Sequence, residues 1–74
     1  MTKFVVTAES DVMDAEFGTN DIDEAIEMYE KFCEERTVIF YDVKLYDGET
    51  GEVLAYQTVV ADPSGFTTTR WVAR

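Results

Sequence analysis

One stretch of this chain has helical periodicity, and it stands alone. Ile22, Ala25, Ile26, Tyr29, Phe32 and Cys33 recur at the three- and four-residue spacing that lines one face of a helix. Asn20 or Asp21 can cap its start, because a short side-chain oxygen reaches the free amides of the first turn. Asp21 and Glu24 have the spacing of a capping box, with Asp in place of the usual Ser or Thr. Arg36-Thr37-Val38 opens a β-branched run, so the helix is expected to stop near Arg36. The other patterned segments have period two. A single helix among short strands can bury its stripe only against a sheet, which points to an α+β domain.

Residues 4–8 read as a first strand with Phe4, Val6 and Ala8 on one face. Residues 9–20 read as a polar, acidic connection ending in turn and cap chemistry at Phe17-Gly18-Thr19-Asn20. Residues 37–46 read as the longest strand. Ile39, Tyr41, Val43 and Leu45 fall on one face, and Val38, Phe40, Asp42, Lys44 and Tyr46 on the other. Asp47-Gly48-Glu49-Thr50-Gly51 is a hairpin turn whose two glycines suit positive φ. Residues 52–60 return as the partner strand, with Leu54, Tyr56, Thr58 and Val60 opposite Val53, Ala55, Gln57 and Val59. Residues 61–65 turn again, and residues 66–72 form the last strand. The expected order is β-α-β-β-β: one helix packed on a small antiparallel sheet. The last three strands form a meander, with the first strand at an edge or beside the last. The helix covers one face; the other is solvated or a contact surface.

At 74 residues the chain is expected to be a single domain, 1–74. A domain this small buries only about 60% of its unfolded surface and needs support. Cys33 is the only cysteine and there is no histidine, so neither an internal disulfide nor a metal cluster is expected. Good packing or a homodimer remains. The 46% hydrophobic fraction favours collapse over disorder. No apolar run reaches the ~18 residues of a membrane span. The lone cysteine, and a Met1-Thr2-Lys3-Phe4 start without an apolar signal region, read as cytoplasmic.

Charge divides the chain. Residues 1–35 carry eleven acids against Lys3 and Lys31, a net of −9, whereas residues 36–74 are at −1. Asp23, Glu27, Glu30 and Glu34 stand at i, i+4, i+7 and i+11 and form one ridge opposite the apolar stripe, flanked by Glu24 and Glu35. Like charges at this spacing cost a helix roughly 0.2–0.5 kcal/mol per pair. Glu34 and Glu35 also oppose the macrodipole. Glu9, Asp11, Asp14 and Glu16 extend the negative surface. The plain reading is a solvated helix face. The sharper one is a surface for a basic, nucleic-acid-binding protein, with no direct contact to nucleic acid or membrane. A merely salt-adapted surface would spread its charge evenly, and this one does not.

Catalysis and cofactors have little to stand on. Placing Gly18 at the sixth position of a calcium loop puts Met13 first and Phe17 fifth, where oxygen ligands belong. Cys33 lacks a histidine partner and lies on the apolar stripe, as a core residue would. No enzyme activity, metal or cofactor is expected. The aromatics are too many for one helix to cover: Phe40, Tyr46, Tyr56 and Trp71, with Arg70, are candidates for an interface on the open sheet face. Cross-strand aromatic pairing is their plain reading.

The acidic stretch 9–16, the ridge Asp23/Glu27/Glu30/Glu34 and the hairpin Tyr46-Asp47-Gly48-Glu49-Thr50-Gly51-Glu52-Val53 give the chain its style. In that style and composition it resembles the small anti-CRISPR and anti-restriction proteins of phages and mobile elements. The resemblance implies a non-enzymatic inhibitor in the host cytoplasm. Its carboxylates would imitate phosphates in the basic channel of a nuclease or surveillance complex. The alternative is a small structural or regulatory domain that self-associates through its aromatic sheet face.

Overall fold

The period-two and helical patterns resolve into six elements in a computed structural model that describes residues 2–73; Arg74, counted above in the charge, lies outside them. They are β1 (Phe4–Glu9), β2 (Asp14–Thr19), α1 (Ile22–Glu34), β3 (Asp42–Asp47), β4 (Val53–Asp62) and β5 (Gly65–Val72). All strand pairs are antiparallel, in the order β2-β1-β3-β4-β5. The expected architecture holds: one helix on an antiparallel sheet, ending in a β3-β4-β5 meander.

The sheet has one strand more than the sequence pattern suggested. Half of the expected 9–20 connection is β2. Ala15, Phe17 and Thr19 alternate inward there, against exposed Asp14, Glu16 and Gly18. The acids and glycine lower β-propensity enough to hide the alternation. A tight turn at Ser10 makes the hairpin: its hydroxyl accepts from Met13 N at 3.0 Å and donates to Met13 O at 2.8 Å. The first strand therefore lies at neither an edge nor the last strand. β1 sits inside the sheet, between β2 and β3.

Residues 37–41 also depart from expectation. The pattern predicts the longest strand at 37–46, yet β3 starts at Asp42 and β4, with ten residues, is the longest. Phe40, Val43 and Leu45 all enter the core, which strict alternation forbids. The chain turns before β3 so that Phe40 packs under the helix end against Phe32. A bulge at Leu54 likewise lets Leu54 and Ala55 both face the helix: Leu45 pairs with Ala55, but Tyr46 pairs with Val53.

The helix starts at an Asp21 cap, whose carboxylate accepts from Asp23 N at 2.9 Å. Thr19 Oγ1 accepts from Asp21 N at 3.1 Å, taking the place that Glu24 would hold in a capping box. The core is Val6, Ala8, Ala25, Tyr29, Phe40, Val43, Leu45 and Ala55. α1 packs on β1, β2 and β3 and leaves β5 uncovered; every residue of β5 is exposed. In the β3–β4 turn only Gly51 has positive φ, at 77°. Gly48 is small for another reason: a Cβ there would collide with the backbone carbonyl of Thr2.

Candidate protein-binding surfaces

The acids predicted as one patch fall on both faces of the sheet. Inward Ala8, Ala15 and Val43 set Glu9, Asp14, Glu16 and Asp42 on the face away from the helix. Asp14, Glu9 and Asp42 lie side by side across β2, β1 and β3. Like charges placed opposite on neighbouring strands destabilise a sheet. The ridge Asp23, Glu27, Glu30 and Glu34 is on the other side, on α1. On the helix side the acids reach the β2 edge, where Glu24 and Glu27 stand beside inward Phe17 with Met28 and Lys31. Lys44–Asp42, at 3.6 Å, is the one ion pair found among the described residues.

Not every predicted acid is free for a partner. Glu35 turns its carboxylate back on the chain, where Arg36 N and Thr37 N donate to Oε1 at 2.9 and 3.0 Å. The Thr37 amide, then the Arg36 amide, hold its pKa below the usual carboxylate value. Glu30 is half-buried, along a groove lined by Ile22, Ile26, Tyr29, Leu54 and Val72.

Sequence reasoning passed over the residue at the centre of the open-face acids. Tyr41 is 41% exposed. Desolvation, followed by the charges of Glu9, Asp11, Asp14 and Asp42, raises its pKa. Val12 and Ile39, both exposed, line a shallow depression together with Asp11. An apolar centre with a charged rim is the anatomy of a protein interface. The displaced strand start hid it, because expected alternation placed Ile39 and Tyr41 with inward Val43 and Leu45.

The aromatic set divides too. Tyr46, Tyr56 and Trp71 stand on the open face, and Tyr56 and Trp71 stack with centroids 5.7 Å apart. Phe40 is a core residue at 6% exposure. Arg70 lies on the helix side, its Nε donating to buried Gln57 Oε1 at 3.0 Å. Nearby, burial pushes the Cys33 thiol pKa up, the direction opposite to an activated thiolate. Fold and surfaces together define a small α+β domain with an acidic edge at β2 and a nearly neutral one at β5. The chain matches no family model, no curated protein and no solved structure.

Proposed function

We propose that this protein is a non-enzymatic binder of a basic protein surface. The partner class is a nucleic-acid-handling protein, such as a CRISPR or restriction complex, whose basic groove the acids occupy. The observation that carries the reading is Tyr41, exposed under the charges of Glu9, Asp11, Asp14 and Asp42, with exposed Val12 and Ile39 lining a depression that shares Asp11. An aromatic anchor supplies affinity, and the surrounding charge steers encounter and makes it salt-sensitive. The uncompensated acids of α1 and the β2 edge widen the same negative field.

The test is a pull-down from a host lysate at low and high salt, followed by affinity measurement on the protein captured. A salt-sensitive, nucleic-acid-binding partner is expected. Tyr41→Ala should weaken it tenfold or more, on the order of a hot-spot residue. Asp11→Lys with Asp14→Lys should slow association. Unchanged binding in both variants would move the site to the helix ridge, where Glu27→Lys with Glu34→Lys is the deciding pair. If all these variants bind as before, the reading is wrong. A second reading, self-association through the open sheet face, draws on the stacked Tyr56 and Trp71 but not on Phe40 or Arg70, which point elsewhere.

A further inference from the structure

The two sheet edges are treated differently. β2 carries Asp14 and Glu16 and lies under the acidic helix. Charges of this kind keep a foreign strand from adding to an edge. β5 carries one charge, Arg70, and that side chain is turned onto Gln57 of the neighbouring strand. The strand runs eight residues, Gly65–Val72, in unbroken register with β4, without lysine, proline or bulge, and no helix covers it. Phe66 is 65% exposed and Val72 59%.

Its free hydrogen-bonding groups can be assigned. Ala73 N donates to Leu54 O at 2.7 Å, so the odd-numbered residues of this segment turn their amides toward β4. Phe66, Thr68, Arg70 and Val72 therefore aim both N–H and C=O at the open edge. Their side chains share the helix side of the sheet, since Gln57 there pairs with Arg70 and Ala55 with Val72.

We infer that β5 pairs antiparallel with β5 of a second copy of this chain, about a two-fold axis at Thr69. Such an axis stands perpendicular to the sheet and keeps both helices on one side. It sets Phe66 opposite Val72 of the other copy and Thr68 opposite Arg70, each pair in both directions. All four outward residues of each strand then lie in hydrogen-bonded pairs, and Thr69 faces itself at about 4.5 Å between Cα atoms. Phe66 of one copy also enters the mouth of the groove that Val72 forms with Ile22, Ile26 and Leu54 on the other, a space of 330 Å³.

Charge selects this occupant over a face-to-face one. Two chains at −10 repel, but the acids of β1 and β2 lie toward the far edge, and of the α1 acids only Glu30 lines the groove beside Val72. In a ten-stranded sheet the two β2 edges lie roughly 43 Å apart at 4.8 Å per strand, well beyond the ~8 Å screening length of physiological salt. Asp62 and Arg70 are the only charged side chains of residues 53–72, and Glu30 of α1 borders the groove that Phe66 enters. The inference is independent of the basic partner, which would meet the opposite edge.

The test is molar mass by sedimentation across concentration, with cysteine cross-linking in a Cys33→Ser background. A reversible dimer is expected. Thr68→Pro removes one outward amide and no bond to β4, so it should give a folded monomer. If that variant unfolds, Phe66→Lys replaces it; this exposed position should cost little stability yet abolish the dimer. Thr69→Cys should form a disulfide-linked dimer on mild oxidation, at least tenfold faster than Thr67→Cys, which would face Trp71 instead. A wild-type chain that stays monomeric at millimolar concentration overturns the inference. So does a dimer indifferent to Phe66→Lys, or equal cross-linking at positions 67 and 69.

Discussion

Phe32 and Phe40 meet edge to face, with ring centroids 5.4 Å apart and planes inclined at 73°. The contact closes the core under the C-terminal turn of α1 and explains why the chain leaves strand geometry before Asp42. Phe40→Ala should cost about 3 kcal/mol or more, the usual range for removing a buried aromatic ring. A domain of this size holds only several kcal/mol in total. Urea denaturation should then find the variant largely unfolded, and Phe40→Leu clearly less affected. A small loss for Phe40→Ala would mean that this end of the core is not closed by the ring.

Tyr56 and Trp71 form the corresponding pair on the open face, nearly parallel at 19°. A double-mutant cycle to alanine should give a coupling energy of about 0.5–1.5 kcal/mol for this cross-strand stack. Trp71 is the only tryptophan, so fluorescence reports on the β5 region. Zero coupling would mean that the rings are adjacent without interacting.

Glu34 lies in the last turn of α1, four residues after Glu30. Glu34→Lys turns a like-charge pair into a Glu-to-Lys pair of the favoured orientation and puts a cation at the negative end of the helix dipole. Stability should rise by about 1 kcal/mol at low salt and by less at high salt. Thermal melts at two ionic strengths check this. A sequence tuned only for stability would carry the lysine already; a gain here, with weaker partner binding, marks the carboxylate as kept for its charge.

Tyr29 is buried, and among the described residues its hydroxyl has no hydrogen-bond partner of ordinary geometry, although the Cys33 thiol stands close enough to act on it. Burial, reinforced by the neighbouring Cys33, holds its pKa well above the ordinary tyrosine value. Below about pH 10 folded and unfolded chains both keep this proton, and its contribution to stability is intact. Above that, the unfolded chain releases a proton that the folded chain retains, so stability falls as pH rises. Tyr29→Phe should flatten this alkaline loss. At neutral pH it should leave stability unchanged or raise it by up to about 1 kcal/mol, because a buried hydroxyl without a hydrogen bond of ordinary geometry is removed. Denaturant titrations at neutral and alkaline pH decide it.

Local chemistry determines a good deal of this fold by itself. The 3.6-residue spacing from Ile22 to Cys33 with the Asp21 cap fixed the helix, because both signals lie within the segment they describe. The Asp47-to-Gly51 turn and the alternation beyond it fixed the meander for the same reason. The acid bias of residues 1–35 was plain from the residue types. What the sequence could not decide was relative placement. β2 was hidden because acidic residues and glycine belong to strands only when an inward face of Ala15 and Phe17 is buried by a helix from elsewhere in the chain. β1 took the interior of the sheet because β2 and β3 both pair with it, a choice made by contacts distant in sequence. Those contacts set Glu9 and Asp14 on one side and the helix ridge on the other, withdrew Phe40 into the core, and brought Tyr41 out among the acids. Periodicity assigns a residue to one face of its own element. Which face is buried, and which edge stays open, depends on what the other elements cover, and only tertiary packing decides that.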